Sequence, residues 1–266
     1  MITRLLAAAA AAATTLLLAT SVASAAPTVT PLTPVADDSP LSAYGGWVVW
    51  SERDAEGKWS LWTYHHGIRA RIERVRKLVP FDADVGPDDQ GRPTVTFSRC
   101  KVEPSPDSPQ PWSTAKGCRP RAVTLGDGME RALHVGHRPD GGSDSTPSLW
   151  RGRVAFQRRV PGSDVSRLMA YDFTTHRLTT LPHGAVPHAC PYTNGCPKAR
   201  PSGEVGELDL GARAVAYSWH VAAPGMIGVG PGWELRLAPT GAGRRTVLAG
   251  NGYVSGACGA RTPYSP

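Results

Sequence analysis

Acidic residues cluster in the segment "DADVGPDD", which contains Asp82, Asp84, Asp88 and Asp89. Carboxylate oxygens are the ligands that Ca²⁺ prefers, but the segment lacks the glycine spacing and the final bidentate glutamate of an EF-hand loop. Aspartates in short segments with Gly and Pro also cap backbone amides in turns. We therefore favour a turn over a calcium site, expect no metal or cofactor, and keep Asp82 and Asp84 as candidate binding residues.

A second cluster, "HGAVPHACPYTNGC", contains His183, His188, Cys190 and Cys196. Two histidines and two cysteines form zinc sites when they have regular spacing on ordered elements. Here a proline interrupts the run, so we favour a Cys190–Cys196 disulfide over a zinc site.

Two further cysteines, Cys100 and Cys118, bracket a Pro-rich segment between two strand-like runs. If those runs are antiparallel neighbours, the two thiols meet at the base of the loop, and a disulfide would contribute about 3 kcal/mol to stability. Trp112 lies inside this loop, and an aromatic side chain on a stapled loop is a candidate binding anchor. Cys258 is left without a local partner, and a buried thiol, an intermolecular disulfide and a missing downstream segment remain open for it.

The densest basic run is "RARIERVRK", residues 69–77. If it is a strand, Arg69, Arg71 and Lys77 lie on one face. Such a face protects a sheet edge from pairing with another chain, or it binds an anionic partner such as a cell-wall polyanion.

The elements that position these residues repeat along the chain. Four segments, "GGWVVWSER", "GRPTVTFSR", "RGRVAFQRR" and "GARAVAYSW", share a valine followed two places later by an aromatic residue. The valines are Val48, Val95, Val154 and Val215, and the aromatic residues are Trp50, Phe97, Phe156 and Tyr217. Successive copies are about 50–60 residues apart, and each is flanked by further short strands and by Gly-, Pro- and Asp-rich turns, which is typical of propeller blades. A β-sandwich is the alternative, but it does not explain why the columns recur in register.

The blade phrases resemble a known family. "GPDDQGRPTVTFSRC" is similar to the "SPDG-x-x-IAF" phrase of TolB-like, PD40-type β-propellers. "DSTPSLWRGRVAFQRRV" with "RLMAYDFTTHRLTTLP" resembles a blade of secreted actinobacterial members of that group. The resemblance implies an all-β propeller with about four four-stranded blades, at 39–80, 82–137, 143–184 and 204–250. We expect the last blade or the ring closure to be incomplete unless "TVTPLT", residues 28–33, supplies an outer strand.

The N-terminal segment has the three parts of a signal peptide: Arg4, an apolar run of about 16 residues, and the small-residue box Ala23-Ser24-Ala25. We predict cleavage after residue 25, with residues 26–266 forming one secreted domain; an uncleaved signal anchor is the alternative. We expect a monomer without membrane attachment after cleavage. The sequence pI of about 9.4 accompanies a composition rich in Arg, Ala, Gly and Pro that resembles high-GC genomes, so the charge does not require a nucleic-acid partner.

The function implied is a non-catalytic binding or interaction module for an unknown protein or cell-envelope ligand. The sequence contains no GxSxG, HExxH or P-loop motif. Two alternatives remain, a polyanion binder that uses the basic run and a hydrolase or lyase with its site in the central channel. For the channel site, the inner strands offer a polar set, namely Ser42, Tyr44, Asp82, Asp84, Ser145, Ser148, Glu207 and Asp209. We expect the tryptophans of the strands to pack between blades rather than bind carbohydrate; these are Trp47, Trp50, Trp62, Trp150 and Trp219.

Overall fold

A computed structural model describes residues 39–72, 77–107, 111–163, 166–182, 202–222 and 232–250. In these ranges the chain forms four antiparallel sheets of four strands each. The predicted signal peptide, the segment 28–33, the Cys190–Cys196 pair and Cys258 lie outside them.

The strands follow one another in chain order within each sheet. The first blade contains β1 (Leu41–Tyr44), β2 (Trp47–Arg53), β3 (Trp59–His65) and β4 (Ile68–Arg71). The second blade contains β5 (Asp84–Pro87), β6 (Pro93–Arg99), β7 (Arg119–Thr124) and β8 (Glu130–Ala132). One short helix, α1 (Pro111–Thr114), lies in the long connection between β6 and β7.

The other two blades repeat this order. The third blade contains β9 (Ser143–Trp150), β10 (Arg153–Arg159), β11 (Arg167–Asp172) and β12 (Arg177–Thr180). The fourth contains β13 (Ser202–Leu210), β14 (Ala214–Ala222), β15 (Gly232–Pro239) and β16 (Thr246–Gly250), so it has all four strands.

Tight turns separate the strands because the sequence supplies residues that tolerate them. The turn between β1 and β2 is Gly45-Gly46, with φ values of +57° and +82° that glycine adopts without strain. The turn between β5 and β6 is capped by Asp88, whose Oδ1 accepts the N–H groups of Gln90 and Arg92. The turn interpretation of the acidic segment is therefore confirmed at Asp88.

The core lies between blades, and the repeated valine and aromatic columns form much of it. Val95 and Phe97 pack in a cluster with residues of the first blade, and Val154 and Phe156 pack in a cluster that includes Ala122 of the second blade. Val215, Tyr217 and Trp219 pack against the third blade in the same way. The second, third and fourth blades thus bury these columns against the preceding blade, because one sheet cannot cover both of its own faces. In the first blade Val48 is only half-buried, and Val49 packs in the cluster with the second blade instead.

The strand contacts that join blades link consecutive blades, with β1 on β5, β5 on β9 and β9 on β13. Together with the sheet order, they define a four-bladed β-propeller, and the predicted fold class is confirmed. The innermost strands β1, β5, β9 and β13 line the centre. Among the described residues, no helix is long and apolar enough to cross a membrane.

Candidate functional site

Polar side chains from the innermost strands meet at the centre of the propeller. Of the polar set predicted for the channel, the structure brings Ser42 of β1, Asp84 of β5 and Ser148 of β9 into hydrogen-bonding contact. Asp209 of β13 is near enough to act electrostatically on Asp84. The alternation of each inner strand places these side chains on its channel side.

The contact between the first two blades runs through Ser42. Its Oγ donates to Asp84 Oδ1 at 2.5 Å and accepts the backbone N–H of Val85 at 2.9 Å. The hydroxyl therefore uses its hydrogen on one residue of β5 and a lone pair on the next.

Ser148 of the third blade also both donates and accepts a hydrogen bond, and it contacts the second and the fourth blades. Its Oγ donates to Asp84 Oδ2 and accepts the backbone N–H of Leu210 at 2.8 Å. A continuous chain of hydrogen bonds thus joins all four innermost strands, and we call Ser42, Asp84 and Ser148 the serine–aspartate latch.

The latch has an unusual carboxyl group. Burial raises the pKa of Asp84, and the negative charge of Asp209 raises it further, while the hydroxyl groups of Ser148 and Ser42 oppose the shift. The carboxyl group therefore keeps its proton at higher pH than an exposed aspartate does. Each serine Oγ also accepts a backbone N–H, and Ser148 is fully buried, so both hydroxyl groups are engaged within the protein as donor and acceptor.

The other residues of the predicted channel set are held elsewhere. Asp82 accepts the N–H of Ser98 at 2.9 Å and that of Thr146 at 2.7 Å, one on each carboxylate oxygen. Ser145 donates to Gln157 at 2.9 Å. Thr146 has a φ of +49°, which is rare for a β-branched residue. Asp82 therefore fixes backbone of two blades, and it does not join Asp84 in one carboxylate pair.

Glu207 of β13 also lies apart from the latch. It is exposed to solvent, and the electrostatic contact that the structure shows for it is with His220 of the neighbouring strand β14. It therefore supplies no carboxylate to the centre.

The expected basic face is divided by the fold. β4 ends at Arg71, and Lys77 instead pairs with Trp59 as an isolated bridge. Lys77 is buried, and its Nζ donates to the carbonyl of Ser98. The expectation that Lys77 extends the face of Arg69 and Arg71 is therefore wrong, because Lys77 bridges to Trp59 outside β4 and its side chain is buried.

Arg69 and Arg71 stay at the exposed outer strand of the first blade. Arg69 forms an ion pair with Glu52, and its guanidinium lies 4.3 Å from the centre of the Trp62 ring. The charge of Arg69 is thus compensated and its planar group is stacked. This arrangement is that of a protected sheet edge.

The loop that carries Trp112 is closed by the Cys100–Cys118 disulfide, as predicted. Trp112 is half-buried, and Lys77 Nζ lies 5.2 Å from the centre of its ring. The loop therefore folds against the blade. One part of the Trp112 side chain packs on the buried ammonium group of Lys77, and another part is exposed to solvent.

A group of partly accessible aromatic side chains lies beside the turns of the inner hairpins. Tyr44 at the end of β1 and Trp150 at the end of β9 meet edge to face, with 6.1 Å between ring centres. Trp47 stacks on His65 at 3.9 Å with an interplanar angle of 1°. All four side chains are half-buried. We call Tyr44, Trp47, His65 and Trp150 the aromatic rim.

The rim differs from what the sequence indicated. Trp50 and Trp219 are buried between strands as expected, but Trp47, Trp62 and Trp150 keep part of their surface in solvent. The sequence did contain an indication that Trp47 and Trp150 are accessible, because each directly adjoins the turn of an inner hairpin.

No protein-family model matches the chain, and no curated protein matches it. Among solved structures, it is similar to a putative TolB from Agrobacterium tumefaciens, with a TM-score of 0.47 and 10% identity over 79% of this chain and 63% of that one. It is similar to TolB from Acinetobacter baumannii, with a TM-score of 0.41 and 12% identity over 78% and 44% of the two chains. A third is the β-propeller domain of the Trilobed protease from Pyrococcus furiosus, with a TM-score of 0.39 and 13% identity over 79% and 51%.

The chain therefore spans less than two thirds of each of these proteins. Two of these structures are TolB proteins, the type of propeller that the blade phrases resemble, and at these identities and TM-scores the similarity assigns neither a family nor a function to this chain.

Proposed function

We propose that this chain is an exported, non-catalytic β-propeller that binds a cell-envelope or extracellular ligand at the aromatic rim. The observation that carries the proposal is the serine–aspartate latch. The side chains best suited to channel chemistry are committed to joining the blades, whereas the partly accessible groups beside the turns of the inner hairpins are aromatic.

Catalysis at the centre would require a free nucleophile or a base within reach of a substrate. Asp84 is the strongest candidate because its pKa is raised, but each of its oxygens already accepts a hydroxyl hydrogen. Activity there would require a substrate to displace Ser42 or Ser148 and so break contacts between blades.

The aromatic rim suits binding because tyrosine and tryptophan offer large contact areas with little conformational freedom to lose. Partial burial, followed by the charge of His66, lowers the pKa of His65. The imidazole is therefore neutral at neutral pH, and the Trp47–His65 stack presents an uncharged flat surface. Such a surface complements the apolar face of a sugar ring, and cell-wall glycan is the ligand class that we assign to it.

Export is supported by the Cys100–Cys118 disulfide, because structural disulfides persist in oxidising compartments. The N-terminal signal peptide predicted from the sequence has the same implication.

The binding test uses purified protein and isolated, insoluble cell-wall glycan in a sedimentation assay. Trp47→Ala should reduce retention on the glycan about tenfold, since a base or ring stacked on an aromatic side chain is worth about 1–3 kcal/mol. Trp233→Ala is the matched control, because Trp233 is an exposed tryptophan of the fourth blade, away from the rim. Equal retention of both variants would refute the rim as the binding surface.

The catalytic test uses chromogenic ester, peptide and glycoside substrates. We expect no turnover above the buffer blank. Turnover that Asp84→Asn abolishes while the variant remains folded would refute the non-catalytic interpretation.

A further inference from the structure

A cavity of about 380 Å³ lies between the third and fourth blades. Three charged residues form one cross-strand row along its wall, since Arg153 of β10 is paired in register with Asp172 of β11, and Asp172 with Arg177 of β12. Paired residues of antiparallel strands point to the same side of a sheet, so the row faces the fourth blade.

The cavity exists because the next row of the same sheet is small. Ala155, Ala170 and Thr179 occupy it in register. The fourth blade contributes Leu210 and Thr240 to the opposite wall. Ligand pockets in proteins begin at about 300 Å³, so the space suits a molecule of monosaccharide size.

The two arginines of the row, Arg153 and Arg177, differ in their hydrogen bonding. Arg153 is oriented by the fourth blade, since it donates to the carbonyl of Ala212 at 2.7 Å and to Thr240 Oγ1 at 3.4 Å. Arg177 is exposed, and in the part of the chain that the structure describes it has no hydrogen bond, ion pair or ring contact. One cation is thus held in place, and the other is available to a ligand.

The carboxylate of Asp172, which lies between the two arginines in the row, already accepts hydrogen bonds from the protein. Asp172 Oδ1 accepts the N–H groups of Thr174 and Thr175, each at 2.9 Å. The hydrogen bond from Thr175 lowers the pKa of Asp172 despite partial burial, and the charge of Arg153 lowers it further. Asp172 therefore stays ionised, needs no ligand cation, and leaves one net positive charge in the row.

We propose that this cavity binds a small hydroxylated organic anion of the size of a sugar acid. Its carboxylate or phosphate pairs with the guanidinium of Arg177 and with the remaining N–H groups of Arg153, since a planar guanidinium matches both anions. Its hydroxyl groups face Thr175, Thr179 and Thr240. The cavity adjoins the aromatic rim, since Arg153 is paired in register with Trp150, but the charged row that carries this proposal does not depend on the function proposed for the rim.

The experiment is calorimetric titration of the purified chain with glucuronate, glucose 6-phosphate, glucose and inorganic phosphate. We expect binding of glucuronate, of glucose 6-phosphate or of both, and none of glucose; the tighter of the two sugar anions identifies the preferred charged group. Inorganic phosphate should bind more weakly than glucose 6-phosphate because it lacks the hydroxyl groups of the sugar ring.

Two variants and one control test the residues. Arg177→Gln should weaken binding about 10- to 100-fold, as expected for the loss of a charged hydrogen-bonding partner. Ala170→Leu should abolish binding by filling the cavity, and its unfolding midpoint without ligand shows whether the blade remains folded. Arg167→Gln, an exposed arginine at the other end of β11, should bind as the unaltered chain does.

Three results would overturn the proposal. They are the absence of binding by both glucuronate and glucose 6-phosphate, equal binding of glucose, and unchanged affinity in Arg177→Gln. Retained affinity in a folded Ala170→Leu variant would overturn the location of the site.

Discussion

Replacing Phe156 by alanine removes a ring that is 0% exposed at the interface of the second and third blades. Truncation of a buried phenylalanine costs about 3–5 kcal/mol, through lost burial and the cavity that remains. The neighbours that would have to close this cavity include Ala122, Leu149 and Met169. They belong to three different strands in two blades, so collapse of the cavity requires the blades to move together.

A second contact places the expected loss in the upper part of that range. The guanidinium of Arg158 lies 5.2 Å from the centre of the Phe156 ring. Asp144 holds Arg158 with two hydrogen bonds, of 2.7 and 2.9 Å, so the cation stays in place after the ring is removed. The lost cation–π attraction adds to the lost burial, and we expect about 4–5 kcal/mol in total.

The assay is urea unfolding followed by tryptophan fluorescence. With an m-value of about 2–3 kcal/mol/M, the midpoint should fall by about 1.3–2.5 M. Leu41→Ala is the control, because Leu41 of β1 is 65% exposed and its truncation should change stability by no more than about 0.5 kcal/mol. Equal midpoints for the two variants would refute the packing of the aromatic column between blades.

Three other perturbations test the centre and the loop. The pKa of Asp84 is raised by burial, so its contribution to stability is fully present below the unfolded value of 3.8 and is lost as pH rises through the folded value. Asp84→Asn should therefore gain stability relative to the wild type between pH 4 and pH 7, measured as the difference in urea midpoints, and a constant difference would contradict the assignment. The Cys100–Cys118 disulfide joins residues 18 positions apart, and its reduction should lower the free energy of unfolding by about 3 kcal/mol in the same assay. An unchanged urea midpoint would show that the disulfide does not constrain the fold. Gly86→Ala should destabilise the domain by several kcal/mol or prevent its folding, because a Cβ at that position would lie 1.9 Å from the carbonyl oxygen of Leu149. A melting temperature equal to that of the wild type would show that β5 and β9 are further apart.

Local sequence was sufficient for the strands and for one disulfide. The valine and aromatic columns follow from the two-residue period of a strand, and Phe97, Phe156 and Tyr217 are buried as that period requires. Cys100 and Cys118 flank neighbouring strands of one hairpin, so their approach depends on local pairing alone.

The same reasoning placed Lys77 wrongly, since alternation was extended through residues where the strand had already ended. The alternation of residues along a strand does not reveal the residue at which the strand ends. That point depends on the bridge of Lys77 to Trp59 and on burial of the lysine against Phe81.

The sequence by itself determined the blades, since side-chain alternation and turn residues act over a few positions. The tertiary structure alone decided which polar groups meet. Asp84 lies between Ser42 and Ser148, at sequence separations of 42 and 64, because three inner strands from three blades come together at one height in the channel. Arg153, Asp172 and Arg177 share a wall of one cavity through the strand register within the third blade, and the opposite wall belongs to the fourth. Such contacts depend on how whole sheets pack, and no short stretch of the chain encodes that packing.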